Sequence, residues 1–371
     1  MRRAAILLAF VVFACDPADA GFGSPLRLRL PAGFSAITLA LANLNGDGHA
    51  DIAVAGDPQN LAVFLNDGKG GFRTVKSTTA GAHPSAFATG DMNGDGTLDF
   101  VVANHEMDYV TLLLGNGKGD FTARTLPVHS KPHPHAIAVG DVDGDGRPDI
   151  VVDSWMEDRF MILPGRQQWQ APGVAVPVGR KPYWNVAVAD IDGDGAVDLV
   201  APNAGLGTVS ILTGNGRAQF THVRGSPFAA GPGPFSIAIG DFNGDRRPDV
   251  GVANYSGNAS QTANDGLTWI RNDGARKFTP VPTRVAAGRY SARLATGDTN
   301  HDGFADVAFT NTASNTVTIV HGSRSGPGQA TNITTMNEPH AVALGDLNGD
   351  QRADLVVAGE TSAEVHVFLA R

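Results

Sequence analysis

The chain has 371 residues, of which 46 are Gly and 22 Pro, with 42% hydrophobic and 18% charged. That Gly and Pro share exceeds the usual value of about 12% and predicts many turns, while the apolar content suffices for a large core and excludes general disorder. A formal charge of −9 argues against sequence-independent nucleic-acid binding, and a single Cys excludes an intrachain disulfide framework and any CxxC metal site.

The N-terminus carries the marks of an export signal. Arg2 and Arg3 precede an apolar run from Ala4 to Ala14, too short for the roughly 20 residues that span a bilayer as a helix. Pro17 breaks it, and Ala18-Asp19-Ala20 supplies the small-x-small pattern of a cleavage site. Residues 1–20 are therefore expected to be a signal peptide. The alternative is a lipobox at Val12-Phe13-Ala14-Cys15, with a lipid anchor on Cys15. Either way the expectation is an exported protein without a transmembrane span, whether secreted, periplasmic or at the cell surface.

From Asn43 onward one nine-residue pattern recurs seven times, at 43–51, 91–99, 141–149, 190–198, 241–249, 298–306 and 346–354. Its starts lie 48 to 51 residues apart, with a single interval of 57, and a period of this size marks a repeat architecture. Before each copy, a small residue sits at two alternate positions, Ala40 and Ala42 or Ala88 and Gly90, for example. Larger residues such as Leu39 and Leu41 interleave with them. Period two denotes a strand, and an obligatory small face implies a crowded place such as the axis of a radial array. A second β run follows each motif (Phe100-Val-Val-Ala), then a third (Val110-Thr-Leu-Leu-Leu), then a hairpin turn such as Asn116-Gly117. A fourth run opens on Phe72, Phe121, Phe220 or Phe278, with Trp169 as a degenerate counterpart.

Four antiparallel strands per repeat predict an all-β, seven-bladed β-propeller over residues 21–371, with an open solenoid as the bland alternative. The last repeat lacks a fourth run, and Phe22 to Leu30 has the character of one. The N-terminal strand is thus expected to complete the last blade and remove two open edges.

Within each motif, oxygen-bearing side chains at positions one, three, five and nine can converge because Gly at position six permits a sharp turn. The candidate ligands are Asn43, Asn45, Asp47 and Asp51; Asp91, Asn93, Asp95 and Asp99; Asp141, Asp143, Asp145 and Asp149; and Asp190, Asp192, Asp194 and Asp198. The remaining loops offer Asp241, Asn243, Asp245 and Asp249; Asp298, Asn300, Asp302 and Asp306; and Asp346, Asn348, Asp350 and Asp354. Such an array suits Ca²⁺ better than Mg²⁺; metal-free Asx-turns are the competing reading. The loops gather 22 of the chain's 37 acidic residues, whose repulsion favours a cation. Up to seven Ca²⁺ are expected. The weakest should be at the first loop, which starts on neutral Asn43, and at the fifth and seventh, where Arg246 and Gln351 replace Gly.

These loops, with hairpins such as Asn116 to Phe121, resemble the FG-GAP/VCBS repeats of bacterial secreted proteins. They are similar to the calcium-bearing repeats of integrin α-subunit propellers. The resemblance implies a seven-bladed propeller with Ca²⁺ between the first and second strands of each blade. The Phe-Gly…Gly-Ala-Pro cassette is not intact, so integrin-like partners do not follow.

Connections on the opposite face hold His83, His105, His133, His135, Trp155, Tyr183, Trp184, Tyr255, Tyr290 and His340. Aromatic faces beside polar groups suit a glycan or an extracellular protein; plugging the channel mouth is the alternative. A three-histidine metal site from His83, His133, His135 or their neighbours is a further possibility, without a diagnostic spacing. The longest interval traces to an insertion at Tyr255 to Asp265, polar and a candidate recognition loop. No catalytic motif stands out. The expected function is a non-enzymatic binding or adhesion module; the alternative is a polysaccharide lyase or hydrolase with its site at the propeller mouth.

Overall fold

The computed structural model describes residues 14–15, 21–128, 133–153, 157–170, 173–179, 182, 185–255, 266–286 and 288–371. The most N-terminal described pair, Ala14–Cys15, runs parallel to Asn332 and Ile333.

The described strands form seven sheets, each with a core of four antiparallel strands. The second blade is representative. Its strands Pro84–Gly90, Asp99–Asn104, Tyr109–Gly115 and Phe121–Pro127 follow one another outward from the axis. Register is set the same way in every blade: the small residue before each motif pairs with the motif's last Asp. The pairs are Ala42 with Asp51, Gly90 with Asp99, Gly140 with Asp149 and Ala189 with Asp198, then Gly240 with Asp249, Gly297 with Asp306 and Gly345 with Asp354. Each motif is thus the turn joining the inner strand to the second. Helix among the described residues is confined to short 3₁₀ turns such as Gly165–Gln167.

The small face of the inner strands has a direct cause. A Cβ added at Gly90 would lie 3.0 Å from Val139 Cγ1, and one at Gly345 2.9 Å from Leu41 Cδ1. One at Gly297 would lie 2.9 Å from Leu344 Cβ. At these positions, and at Gly140 against Val188, an inner strand receives the larger residues of the next blade's inner strand against its small ones, and neighbouring inner strands pack on one another round the ring from seventh blade to first. Side chains of adjacent blades make a separate apolar cluster at each junction. Phe64 and Val365 meet between the first and seventh blades, Leu65 and Phe100 between the first and second.

Ring closure follows the expected route. Leu26–Arg29 pairs antiparallel with Glu364 to Val367 as the outer strand of the seventh blade. Phe22 bridges Ala370, and its side chain is fully buried. Two departures are local. The outer strand of the third blade begins at Val174, so Trp169 does not open it; Trp169 packs between the second and third blades, its Nε1 donating to the Pro148 carbonyl at 3.0 Å. Arg246 and Gln351 adopt positive φ, 65° and 67°, just where their side chains should oppose it. Their N–H groups donate to Asp241 Oδ2 and Asp346 Oδ2, the bond made by Gly96 to Asp91 in the second blade, and these bonds hold the conformation.

Candidate functional site

All seven motif loops share one design, clearest in the second blade. Asp91 Oδ1 accepts the N–H groups of Gly94 and Asp95, and its Oδ2 that of Gly96. Asn93 Oδ1 accepts from Asp95 N, and Asp95 Oδ1 from Thr97 N. Asp99 is fully buried; its Oδ2 accepts from Met92 N at 2.9 Å and its Oδ1 from Gly115 N at 2.8 Å. The ninth residue therefore ties its loop to the end of the third strand. The same link runs from Asp51 to Asn66 N, Asp149 to Gly165 N, Asp198 to Gly214 N, Asp249 to Asn272 N, Asp306 to Gly322 N and Asp354 to Ala370 N.

This backbone network consumes part of each carboxylate's accepting capacity and leaves the rest for a cation. The fit is best where carboxylates are densest. Oxygens of Asp141, Asp143 and Asp149 lie within 4.8 Å of one another, as do those of Asp190, Asp192 and Asp194. Asp143 Oδ1 and Asp249 Oδ2 are buried oxygens with no hydrogen-bond partner among the described residues, costly positions that a bound cation would satisfy. An all-oxygen, carboxylate-rich donor set suits a hard cation such as Ca²⁺.

Burial pushes the ninth carboxyls upward: Asp149, Asp198 and Asp354 to about 6 and Asp249 to about 7. In the sixth blade, burial also raises Asp306, but hydrogen bonds from His321 and Thr299 outweigh it and leave the carboxyl below its ordinary value. His321, 3.2 Å from Asp306, is raised in turn by that bond.

Sequence reasoning missed the cations that already sit beside these loops. Arg166 Nη1 lies 2.6 Å from Asp143 Oδ2. Arg276, from the hairpin of the fifth blade, reaches Asp192 at 2.6 Å and Asp194 at 2.8 Å in the fourth. Arg247 pairs with Asp245 of its own loop. For Arg166 and Arg276 the signal was an Arg in a hairpin, but the target lay 23 residues back in the chain or in another blade. Buried Asn residues ending the second strands were also missed. Asn104, Asn203, Asn254 and Asn311 each bond a Thr or Ser hydroxyl of the third strand.

On the opposite face the expected residues divide into groups around the channel. A cavity of about 260 Å³ lies on the axis and is lined by residues from all seven blades. Arg293, which sequence reasoning did not select, lines it and donates from Nη2 to the Ser85 carbonyl at 3.1 Å, linking the sixth blade to the second. The Arg293 guanidinium carbon is 6.0 Å from the centroid of Phe235. Phe235 packs on Tyr255 at 5.2 Å, and Tyr255 on Tyr290 at 5.4 Å. His340 lies 3.8 Å from Glu360, and burial, reinforced by Arg293, lowers it to about 3.

His105, His133 and His135 form the second group. The Nε2 atoms of His105 and His133 are 3.0 Å apart, and one ring nitrogen from each of the three falls within 4.8 Å of the others. Burial, with neighbouring histidines, holds His105 below its ordinary value and His135 down to about 2. Both are neutral at pH 7. His83 stands apart from this trio in the metal-ligand geometry and lies 3.4 Å from Asp57. Trp155, Tyr183 and Trp184, and positions 256–265 of the insertion, lie outside the described residues.

The FG-GAP-like repeat family model matches residues 43–102, 91–152, 190–252 and 298–357, each match starting at a motif loop. No curated protein matches the chain. Among solved structures, BBS1N in complex with ARL6DN, soaked with lead, is similar at a TM-score of 0.66 and 11% identity, over 95% of this chain and 97% of that one. The same complex soaked with mercury gives 0.66 and 14% over the same shares. A functionally unknown protein from Desulfotomaculum acetoxidans DSM 771 gives 0.58 and 13%, over 83% and 88%. Seven blades in one register, each turning on the same acidic loop, and a family model matched over more than half of the chain lead to one assignment: the chain belongs to the FG-GAP-like repeat proteins.

Proposed function

We propose that this chain is an exported, calcium-stabilised propeller that serves as a non-enzymatic binding module for a protein or glycan ligand. The observation that carries the binding role is the cluster of mutually tilted rings Phe235, Tyr255 and Tyr290 beside Arg293, which lines the axial cavity. Clustered aromatic rings with a nearby guanidinium recognise sugar faces and peptide side chains alike. The likeness to BBS1N, whose structure contains a protein partner, supports a protein ligand. Calcium is supported by the clustered loop carboxylates and by the buried oxygens of Asp143 and Asp249. Export is supported by the basic and apolar residues before Ala20.

Glycan and peptide arrays, probed with protein in millimolar Ca²⁺ and in EDTA, test the reading. Tyr255→Ala and Tyr290→Ala should abolish the captured signal without lowering the melting temperature by more than a few degrees. A reducing-sugar or unsaturated-product assay on the captured polysaccharides should show no turnover. Turnover would move the assignment to a lyase or hydrolase, and a signal unaffected by both substitutions would place recognition elsewhere.

A further inference from the structure

We infer that His105, His133 and His135 form a transition-metal site, separate from the calcium loops and suited to Zn²⁺. The trio is assembled from two blades. His105 follows the second strand of the second blade, and His133 and His135 lie on the connection entering the inner strand of the third. The three rings contact one another, with centroids 4.3, 4.4 and 4.6 Å apart. One nitrogen from each converges within 4.8 Å. A tetrahedral Zn²⁺ with Zn–N bonds of about 2.05 Å places its ligand nitrogens about 3.3 Å apart. The His105–His133 separation of 3.0 Å is close to that value, so a shift of side chains alone completes the set.

The backbone holds the trio in place. His133 has a φ of 107°, a backbone conformation that few residues other than glycine adopt. Its N–H donates to the Met107 carbonyl at 3.2 Å, and His105 N–H donates to the His83 carbonyl at 2.8 Å. The N–H groups of His135 and Ala136 both donate to Asp153 Oδ1 at 2.7 Å. Asp153 stands in the second strand where other blades carry Ala103 or Ala253. A fully buried carboxylate in place of an alanine thus anchors the His135 backbone.

Imidazole is an intermediate ligand that selects Zn²⁺, Cu²⁺ or Ni²⁺ over Ca²⁺, and three of them leave one position for water or a ligand group. The site therefore gives the face opposite the acidic loops its own metal chemistry. It stands whether or not the ring cluster binds a glycan or protein.

The test uses the full chain in millimolar Ca²⁺, which occupies the oxygen sites. Titration with Zn²⁺ should show one equivalent bound. Co²⁺ should give the intense visible band of a four-coordinate nitrogen site rather than the weak band of an octahedral oxygen site. His105→Gln and His133→Gln should each weaken Zn²⁺ binding by about tenfold or more and abolish the cobalt band, whereas His83→Gln leaves both unchanged. Melting curves in Ca²⁺ confirm that the variants remain folded; if one unfolds, the other and the cobalt band of the parent chain carry the result. Absence of Zn²⁺ binding, or binding that survives both substitutions, overturns the inference.

Discussion

Removing the N-terminal strand tests ring closure most directly. Leu26–Arg29 supplies the outer edge of the last blade, and flanking backbone bonds run from Gly23 N to Leu369 O, Leu30 N to Ala363 O and Arg371 N to Gly21 O. Phe22 is 1% exposed and packs with Phe368 and Val357. Leu30 is 6% exposed and packs with Val365. Phe22→Ala alone should cost about 3–5 kcal/mol, the usual penalty for emptying a large aromatic site. In a chain of this length, with an unfolding entropy of about 0.8 kcal/mol/K, that corresponds to a fall of roughly 4–6 °C in melting temperature. Deleting Phe22 to Leu30 should cost more and expose the third strand of the seventh blade as a bare edge. The assays are thermal melting and light scattering of the purified chain in Ca²⁺. The deletion should melt earlier and associate; a deletion variant as stable and monodisperse as the parent would refute the closure argument.

The other predictions concern the acidic loops. EDTA should lower the melting temperature, and millimolar Ca²⁺ should restore it better than Mg²⁺; identical melts would remove calcium from the account. In EDTA, stability should fall as pH rises. The folded carboxyls of Asp149, Asp198 and Asp354 near 6 and Asp249 near 7 retain protons that the unfolded chain releases near its ordinary value of 3.8, so their contribution is greatest below that value and is lost on rising through 6 to 7. The gap between Ca²⁺ and EDTA melts should then be wider at about pH 7.5 than at about pH 5, and an equal gap would contradict this. Gln351→Gly and Arg246→Gly should each stabilise by about 1 kcal/mol in chemical denaturation, since both residues hold positive φ; destabilisation would show that their side chains matter more than that strain. Arg276→Ala should lower the melting temperature in EDTA, where Asp192 and Asp194 lose their counter-charge, yet tighten Ca²⁺ binding; calorimetry decides, and weaker Ca²⁺ binding would mean the guanidinium does not compete with the ion.

What could be read from the sequence was what repeats. The alternation of Ala40 and Ala42 with Leu39 and Leu41 announces a strand whose small face is crowded, and Gly345 against Leu41 shows what crowds it. The pairing of Ala42 with Asp51 recurs because one turn geometry is used seven times. The unmatched run at Phe22 was legible because the runs opening on Phe72, Phe121, Phe220 and Phe278 define what a fourth strand looks like. Illegible features depend on one blade alone or on a contact between blades. Nothing local tells that Arg276 reaches Asp192, since 84 positions separate them, or that Arg293 crosses to Ser85. Trp169 keeps the aromatic position but not the strand, because a 3₁₀ turn at Gly165–Gln167 occupies the hairpin. The histidine trio lies between these extremes. Its members could be named from the sequence, but only the packing of the second blade on the third brings His105 to His133 and His135 and leaves His83 with Asp57. The scaffold is therefore encoded by repetition, and the site chemistry by departures from it. Asp153 in place of an alanine and His133 at positive φ are such departures, and both lie within or beside the one cluster of nitrogen ligands found among the described residues.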